Sequence, residues 1–236
     1  AGYTELAEIR CRHGDYAGAL KMIDNALDAG ARSSKARTIK AYVLRKLGQA
    51  PEARAELDTA IELDPLDVWS VAERCFLEGA GTSALERLSQ KRGDKLQQML
   101  EIVTDYDRLG ATDEVLAILS QAEAAGGPFA SPLVPYFAGY QHQQLGDTEK
   151  ARMLFRRAAT MPTDYCFPFR HETLRVLAAA SELCASDVNT WYYLGNLCYF
   201  LEQRERGIAA WEKAVALRPS HALALRNLGF AYGRIP

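Results

Sequence analysis

The sequence predicts an all-α fold in which pairs of helices stack into a solenoid. The first observation behind this prediction is internal repetition, because small residues recur 34 positions further along the chain. The matching pairs are Gly14 and Gly48, Ala19 and Ala53, and Ala26 and Ala60. The second observation is that no segment ahead of the first repeat alternates apolar and polar residues in the manner of a half-buried strand. A repeat of this length is typical of stacked helical units.

The same repeat continues along the chain. Leu109-Gly110 and Leu145-Gly146 copy Leu47-Gly48, and a fuller copy starts near residue 191. Its members are Trp191, Leu194, Gly195, Cys198, Trp211, Ala214 and Pro219, followed by a half copy with Leu225, Leu228, Gly229 and Tyr232. The predicted repeats span about 3–33, 35–66, 67–92, 95–127, 131–163 and 188–220, with a half repeat at 221–236.

This order of an aromatic residue, Leu-Gly, Tyr, Ala, Phe, Ala and Pro resembles the signature of the tetratricopeptide repeat family. The resemblance extends over nearly the whole chain. It implies a right-handed superhelical α-solenoid that forms one domain over residues 1–236, with the first helix of each pair lining a concave groove. Small residues let the paired backbones approach, and large ones such as Phe155 and Trp211 fill the space between units.

Two segments depart from the repeat. The third repeat is contracted, with helices predicted over 68–78 and 83–91 joined by a short glycine linker. Residues 162–170 contain two prolines and three aromatic side chains, Tyr165, Phe167 and Phe169, which exclude a regular helix there. A single helix is predicted to follow over about 172–183. This insert either plugs the core in place of a missing first helix or forms one wall of a binding site.

Residues 135–235 carry a second resemblance. Asp164-Tyr165-Cys166-Phe167-Pro168 and the later run 192–197 are similar to the helical arm of large bacterial proteins. In those proteins a mutarotase-like β-sandwich precedes a tetratricopeptide array. The resemblance implies an accessory arm of a carbohydrate-active protein whose catalytic domain lies outside this chain.

The composition of the chain limits the classes of binding partner and the cellular compartment that we expect. The chain has 236 residues and a formal net charge of −2, so there is no basic field for nucleic acid or anionic lipid. No apolar run is long enough to span a membrane, and no secretory leader is visible. The five cysteines form no CxxC pair and are expected to be buried apolar residues, which favours a cytoplasmic location.

The sequence shows no pattern typical of an active site. Its four histidines lack a His or Cys partner at metal-ligand spacing, and no phosphate-binding or nucleophile motif occurs. We therefore expect no enzymatic activity, no metal and no cofactor.

The predicted groove supplies the candidate binding residues. Tyr192, Asn196 and Tyr199 share one face of a helix by their spacing. The equivalent stripe one repeat earlier contains Tyr136 and Tyr140, and the final half repeat contributes Arg226, Asn227 and Phe230; in the second repeat the stripe is Thr38, Tyr42 and Arg45. The candidate site is therefore Tyr136, Tyr140, Tyr192, Asn196, Tyr199, Arg226 and Asn227. We expect the insert to border this patch.

Exposed tyrosines beside side-chain amides suit two kinds of ligand. Tyrosine gives a large contact area with little loss of side-chain entropy, which favours an extended segment of a partner protein. A carbohydrate is the alternative, in line with the second resemblance.

Overall fold

The computed structural model describes residues 2–30, 32–79, 93–164 and 166–233. Within these ranges the chain forms thirteen α-helices and a short 3-10 turn, and no β-strand. This confirms the predicted all-α fold of helix pairs. The chain divides into two compact units, Ala1–Phe129 and Ala130–Pro236. That both units belong to one continuous solenoid stays a prediction.

The described residues of the first unit form three complete helix pairs and one further helix. Its helices are α1 (Gly2–Arg12), α2 (Tyr16–Ala29), α3 (Ser34–Lys46), α4 (Ala50–Leu63), α5 (Val68–Leu77), α6 (Lys95–Arg108) and α7 (Thr112–Ala125), followed by the 3-10 turn Gly127–Phe129. The pairs α1–α2, α3–α4 and α6–α7 correspond to three of the predicted repeats. The predicted helix over 83–91 lies outside the described residues.

The second unit contains two helix pairs and two further helices. Its helices are α8 (Leu133–Gln144), α9 (Thr148–Thr160), α10 (His171–Leu183), α11 (Val188–Phe200), α12 (Arg204–Leu217) and α13 (Ala222–Tyr232). The pairs are α8–α9 and α11–α12, and α13 is the predicted half repeat. The single helix α10 lies where it was predicted, and it packs against both α8 and α11.

Close approach within the pairs depends on a small residue facing a large ring. A Cβ atom added to Gly195 would overlap the indole of Trp211, and one added to Gly139 would lie 2.6 Å from Phe155 Cε1. Both rings are buried. They were predicted to fill the space between units, and each lies against the glycine of its own helix pair. The two glycine and ring pairs occupy equivalent positions in α8–α9 and α11–α12.

The turn between the two helices of a pair requires a residue in the left-handed backbone conformation, with positive φ. Four pairs place glycine there, with φ of 73° at Gly14, 77° at Gly48, 71° at Gly110 and 81° at Gly146. In the last pair the same turn position is Glu202, whose φ is 60°. A residue with a Cβ atom is strained in this region of the backbone map.

We expect Glu202→Gly to raise the free energy of unfolding by roughly 0.5–1 kcal/mol, because it removes this backbone strain. The gain is reduced because glycine makes the unfolded chain more flexible. The matched reverse change is Gly146→Ala, which should lower it by about 1 kcal/mol, because an added Cβ there meets no atom within 4 Å and only the backbone is affected. Urea denaturation measures both. A destabilised Glu202→Gly variant would show that φ at this turn is not a source of strain.

The insert faces two directions. Cys166 and Pro168 are buried, whereas Phe167 is 68% exposed and Phe169 is 43% exposed. Tyr165 lies outside the described residues. The two phenylalanine rings therefore do not plug the core, whereas Cys166 and Pro168, among the described residues of the insert, are buried in it.

Candidate functional site

The structure buries two of the predicted groove tyrosines. Tyr136 is fully buried, and its hydroxyl donates to Asp187 Oδ2 at 2.8 Å and lies 2.8 Å from Thr190 Oγ1. Burial raises the pKa of the Tyr136 phenol well above its ordinary value. Tyr192 is 4% exposed, with its ring against Tyr193 and His221. This differs from the expected exposed stripe, because neighbouring helices lie close enough for these rings to fill the space between them.

Tyr140 is half-buried and lies on α8, four residues after Tyr136. The guanidinium of Arg175 sits 5.7 Å from the centre of its ring. Of the seven candidate residues, the structure brings four together at one surface: Asn196 and Tyr199 on α11, and Arg226 and Asn227 on α13.

These four residues line an open groove of about 460 Å³, which we call the C-terminal groove. Its lining is Asn196, Tyr199, Phe200, Trp211, Arg226, Asn227 and Phe230. Phe200 is 62% exposed and Phe230 is 56% exposed, while Tyr199 packs against Trp211 with 5.1 Å between ring centres. The groove therefore has aromatic walls that are open to solvent.

The repeat explains why α11 and α13 share this groove. Both are first helices of consecutive repeats, and Phe230 stands 34 positions after Asn196. Asp187 caps the start of α11 by accepting from Asn189 N at 2.9 Å, and His221 caps α13 by accepting from Ala224 N at 3.1 Å. Burial lowers the pKa of His221, which keeps Nδ1 available as an acceptor.

A chain of hydrogen bonds, which we call the amide relay, crosses the floor of the groove. Trp211 Nε1 donates to Asn196 Oδ1 at 3.0 Å, and Asn227 Nδ2 donates to the same oxygen at 2.9 Å. Arg226 Nε and Nη2 donate to Asn227 Oδ1 at 3.3 and 3.1 Å. The relay holds both amides in one orientation.

Two groove residues, Phe200 and Trp211, were not predicted to have a binding role. Phe200 was missed, although it lies four positions after Asn196 and so on the same face of α11. Trp211 was predicted to be buried, which its 4% exposure confirms, but its ring edge also lines the groove. Phe230 lies in the predicted stripe of the half repeat.

The insert does not line the C-terminal groove. Residues 161–164 instead border a separate depression of about 420 Å³, together with Asn189 and residues of the link between α12 and α13. Pro162–Asp164 lie beside the start of α13, where the ring of His221 packs on Tyr192 of the candidate patch. That the insert as a whole borders this patch stays a prediction.

The predicted groove residue Tyr42 is covered by aromatic side chains of its own unit. Tyr42 is 1% exposed and packs against Tyr16 and Tyr106, with 6.2 Å between ring centres in each case. The rings of Trp69 and Phe76 meet Tyr106 edge-on at 5.7 and 5.6 Å. The second-repeat stripe, which was expected to face a groove, lies in this cluster.

Charged side chains join the aromatic cluster, and we call them the buried ion network. Arg45 binds Glu73 through two hydrogen bonds, 2.6 Å from Nε to Oε1 and 3.1 Å from Nη2 to Oε2. Arg45 Nη2 also reaches Glu114 at 2.9 Å, and Lys46 Nζ lies 2.6 Å from the same carboxylate. Tyr106 donates its hydroxyl to Glu73 at 2.7 Å. Two cations thus balance two anions.

The two acids of this network have opposite pKa shifts. Glu73 is 0% exposed, and desolvation raises its pKa despite the contact with Arg45. Burial also pushes the pKa of Glu114 upward, but the hydrogen bonds and charges of Lys46 and Arg45 outweigh it and hold that pKa below its ordinary value. Tyr42 and Arg45 of the second-repeat stripe therefore belong to a polar core of the first unit.

The cysteines and the possible metal-binding side chains were also candidates for a functional site. All five cysteines are buried and free, as predicted for apolar packing residues. Across the described ranges no three His, Cys, Asp or Glu side chains are grouped so that they could hold a metal ion. In the same residues, none of the helices combines the length and the apolar character needed to cross a membrane.

Residues 4–68 match the sequence model of the tetratricopeptide repeat family. This supports the predicted family over the first two repeats. No curated protein matches the chain. The resemblance of residues 135–235 to mutarotase-associated helical arms falls outside the matched segment and stays a prediction.

Solved structures of tetratricopeptide proteins align over most of the chain at low identity. The P58(IPK) tetratricopeptide domain is 15% identical with a TM-score of 0.33, and the alignment covers 98% of this chain and 64% of that one. The Thermus thermophilus protein TTC0263 is 17% identical with a TM-score of 0.31, covering 98% and 97%. YrrB, described as having an unusual peptide-binding site, is 18% identical with a TM-score of 0.25, covering 87% and 96%. At these TM-scores the likeness carries no conclusion about function.

Proposed function

We propose that this chain is a non-catalytic interaction module that binds a segment of a partner protein in the C-terminal groove. The observation that supports the proposal most directly is the open aromatic wall formed by Phe200 and Phe230, which are 62% and 56% exposed. Large rings beside side-chain amides are typical of surfaces that bind extended protein segments.

The packing of the groove favours binding without rearrangement. Tyr199 rests on Trp211, and Trp211 is fixed against Gly195 and bonded to Asn196. A preformed wall loses little entropy when a ligand binds, so more of the contact energy remains as affinity. Asn196 and Asn227 are each held by hydrogen bonds in the relay, which adds to this order.

A peptide-display selection tests the proposal. Random dodecapeptides on phage are selected on the wild-type protein and then measured against Phe200→Ala/Phe230→Ala. We expect selected peptides to lose about tenfold or more in affinity on this variant, as for aromatic residues at the centre of an interface. Calorimetry on synthesised peptides gives the affinities.

The matched control is Leu145→Ala/Met153→Ala, which removes two apolar side chains of the same unit that are 60% and 59% exposed but lie on α9 and its preceding turn. Peptides should bind this control as they bind the wild type. Equal binding to all three proteins, or no enrichment at all, would refute a role for the groove.

A further inference from the structure

One position in the second helix of a pair carries an acid in three of the five described pairs. This position lies ten residues after the left-handed residue of the turn. In each case the acid bonds to a side chain on the first helix of the following repeat. The acids and their partners are Asp24 with Lys40 at 2.9 Å, Asp58 with Arg74, and Glu212 with the hydroxyl of Tyr232.

The charge at this position is reversed in α9. Ten residues after Gly146 stands Arg156, which is exposed and makes no hydrogen bond or ion pair with any described residue. The segment that follows α9 is the insert and not a first helix, so the neighbour that bonds to this position in other repeats is missing. Arg156 therefore presents a positive charge without a counter-ion from the described chain.

Arg156 lines a depression of about 530 Å³, which we call the α9 cavity. It lies between the second half of α9 and the turn that joins α10 to α11. Arg152 also lines it, one helical turn before Arg156, so the two side chains share one face of α9. Arg152 Nη1 donates to Leu183 O at 2.8 Å, at the end of α10, and this bond holds the guanidinium at the cavity.

The carboxylate in the lining is already occupied by other donors. Asp187 Oδ1 accepts from Asn189 N at 2.9 Å. Its Oδ2 accepts from the Tyr136 hydroxyl at 2.8 Å and from the Thr190 hydroxyl. Three hydrogen bonds from α8 and α11 thus use both oxygens of Asp187, and none comes from the arginines of the cavity.

The turn beside the two arginines adds further donors. The backbone N–H groups of Ala185 and Ser186 bond to no acceptor among the described residues, and Ser186 also carries a hydroxyl. Glu149 Oε1 lies 3.9 Å from Arg152 Nε, but the Glu149 side chain is 88% exposed, so this ion pair is weak. The α9 cavity therefore combines two guanidinium groups with N–H and O–H donors.

We infer that the α9 cavity binds a phosphorylated serine or threonine of a partner protein, and that Arg152 and Arg156 hold the phosphate. A phosphate monoester carries a charge of about −1.5 to −2 at neutral pH and three acceptor oxygens. These suffice for two guanidinium groups, whereas a carboxylate offers one charge and two oxygens. No residue of this cavity lines the C-terminal groove, so the site is additional to the proposed function.

NMR titration of the ¹⁵N-labelled protein tests the partner chemistry. The probes are acetylated and amidated heptapeptides with a central phosphoserine, serine or aspartate in a Gly-Ala background, and inorganic phosphate. We expect the phosphoserine peptide to shift the backbone amide signals of Ala185 and Ser186. It should bind on the order of tenfold more tightly than the aspartate peptide or inorganic phosphate.

Two outcomes of this titration would overturn the inference. An aspartate peptide that binds as tightly as the phosphoserine peptide would assign the cavity to carboxylates. Inorganic phosphate that binds as tightly would mean an adventitious ion only, because the rest of the segment would then add nothing to the affinity.

Arg156→Asp tests the cavity itself, because it installs the residue that α2 and α4 carry at this position. We expect the affinity for the phosphoserine peptide to fall tenfold or more. Arg157→Asp is the matched control. It makes the same change of charge at the next residue of α9, outside the cavity lining, and should lower the affinity threefold or less.

Thermal melting checks that both variants are folded, and Arg156→Gln replaces Arg156→Asp if that protein does not fold. Equal losses in the Arg156 and Arg157 variants would mean that the general charge of α9 attracts the phosphate, and this would overturn the inference. A folded Arg156 variant that binds the phosphoserine peptide as the wild type does would overturn it as well.

Discussion

Arg45→Met is expected to lower the free energy of unfolding by about 3–5 kcal/mol, as for other changes that remove one partner of a buried ion pair. Methionine keeps much of the volume but removes the charge that pairs with Glu73. The Glu73 carboxylate is 0% exposed, and after the change only the Tyr106 hydroxyl still donates to it among the groups of the network. An unpaired buried charge is far more costly than an absent ion pair.

A second variant and a surface control make this expectation specific. Arg45→Met/Glu73→Met removes both partners and should recover much of the loss, because no carboxylate is then left without a cation. The exposed pair of Arg54 and Glu78, 3.0 Å apart, provides the control, and Arg54→Met should change stability by less than about 1 kcal/mol. Urea denaturation at neutral pH measures all three. A double variant as unstable as Arg45→Met would contradict the unpaired-charge explanation.

The Arg45→Met loss should also depend on pH. Burial raises the pKa of Glu73 already in the wild type, and removing Arg45 raises it further. A carboxyl with a raised folded pKa binds its proton more tightly in the folded state, so stability falls as pH rises from the ordinary glutamate range to that folded pKa. The loss should therefore shrink as the pH is lowered, because Glu73 becomes neutral.

Trp211→Ala is expected to cost about 3–5 kcal/mol, as for other large truncations in a core. The indole is 4% exposed, packs against Gly195 and Tyr199, and makes a hydrogen bond to Asn196. A loss below about 1 kcal/mol by urea denaturation would mean that this ring does not join the helices of the pair.

Gly195→Ala gives a matched test of the same contact. Its added Cβ would overlap the indole, so the change should destabilise the wild type by roughly 1–3 kcal/mol. In the Trp211→Ala background the overlap is gone, and Gly195→Ala should be neutral or stabilising. Gly229→Ala is the control, because it holds the same repeat position with nothing within 4 Å of an added Cβ, and it should stabilise by up to about 1 kcal/mol. Equal effects of Gly195→Ala in both backgrounds would contradict the proposed contact.

The positions of the helices were predictable because the same pattern of small and large residues recurs in several repeats. The single helix after the insert was expected over about 172–183 and is His171–Leu183, and the start of the last pair was expected at 188 and is Val188. Trp211 and Phe155 were assigned to the core from their place in the repeat, which the structure confirms. The repeated Leu-Gly dipeptide supplies the glycine of the left-handed turn in four pairs, and Glu202 takes its place in the last pair.

The site was only partly predictable, because helical spacing identifies a face and not its depth. Tyr136 and Tyr199 belong to the same kind of stripe, yet Tyr136 is fully buried and Tyr199 is half-buried at a groove. The difference depends on how closely the neighbouring first helices approach, which is a tertiary property. The buried ion network has the same origin, since Arg45, Glu73 and Glu114 are far apart in sequence and each resembles a surface residue when taken alone.

The residues of the buried ion network come from three different repeats, which affects how a chain of similar repeats folds. Repeats of nearly equal length can associate out of order, and such mispairing is a characteristic failure of repeat proteins. Arg45 belongs to the second repeat, Glu73 to the third and Glu114 to the fourth, so each meets its partner only when the units stack in their native sequence. A skipped or slipped unit would bury a carboxylate beside no cation. We therefore expect the network to disfavour stacking of the repeats in a non-native order. Aliphatic residues at these positions would pack equally well against several alternative neighbours.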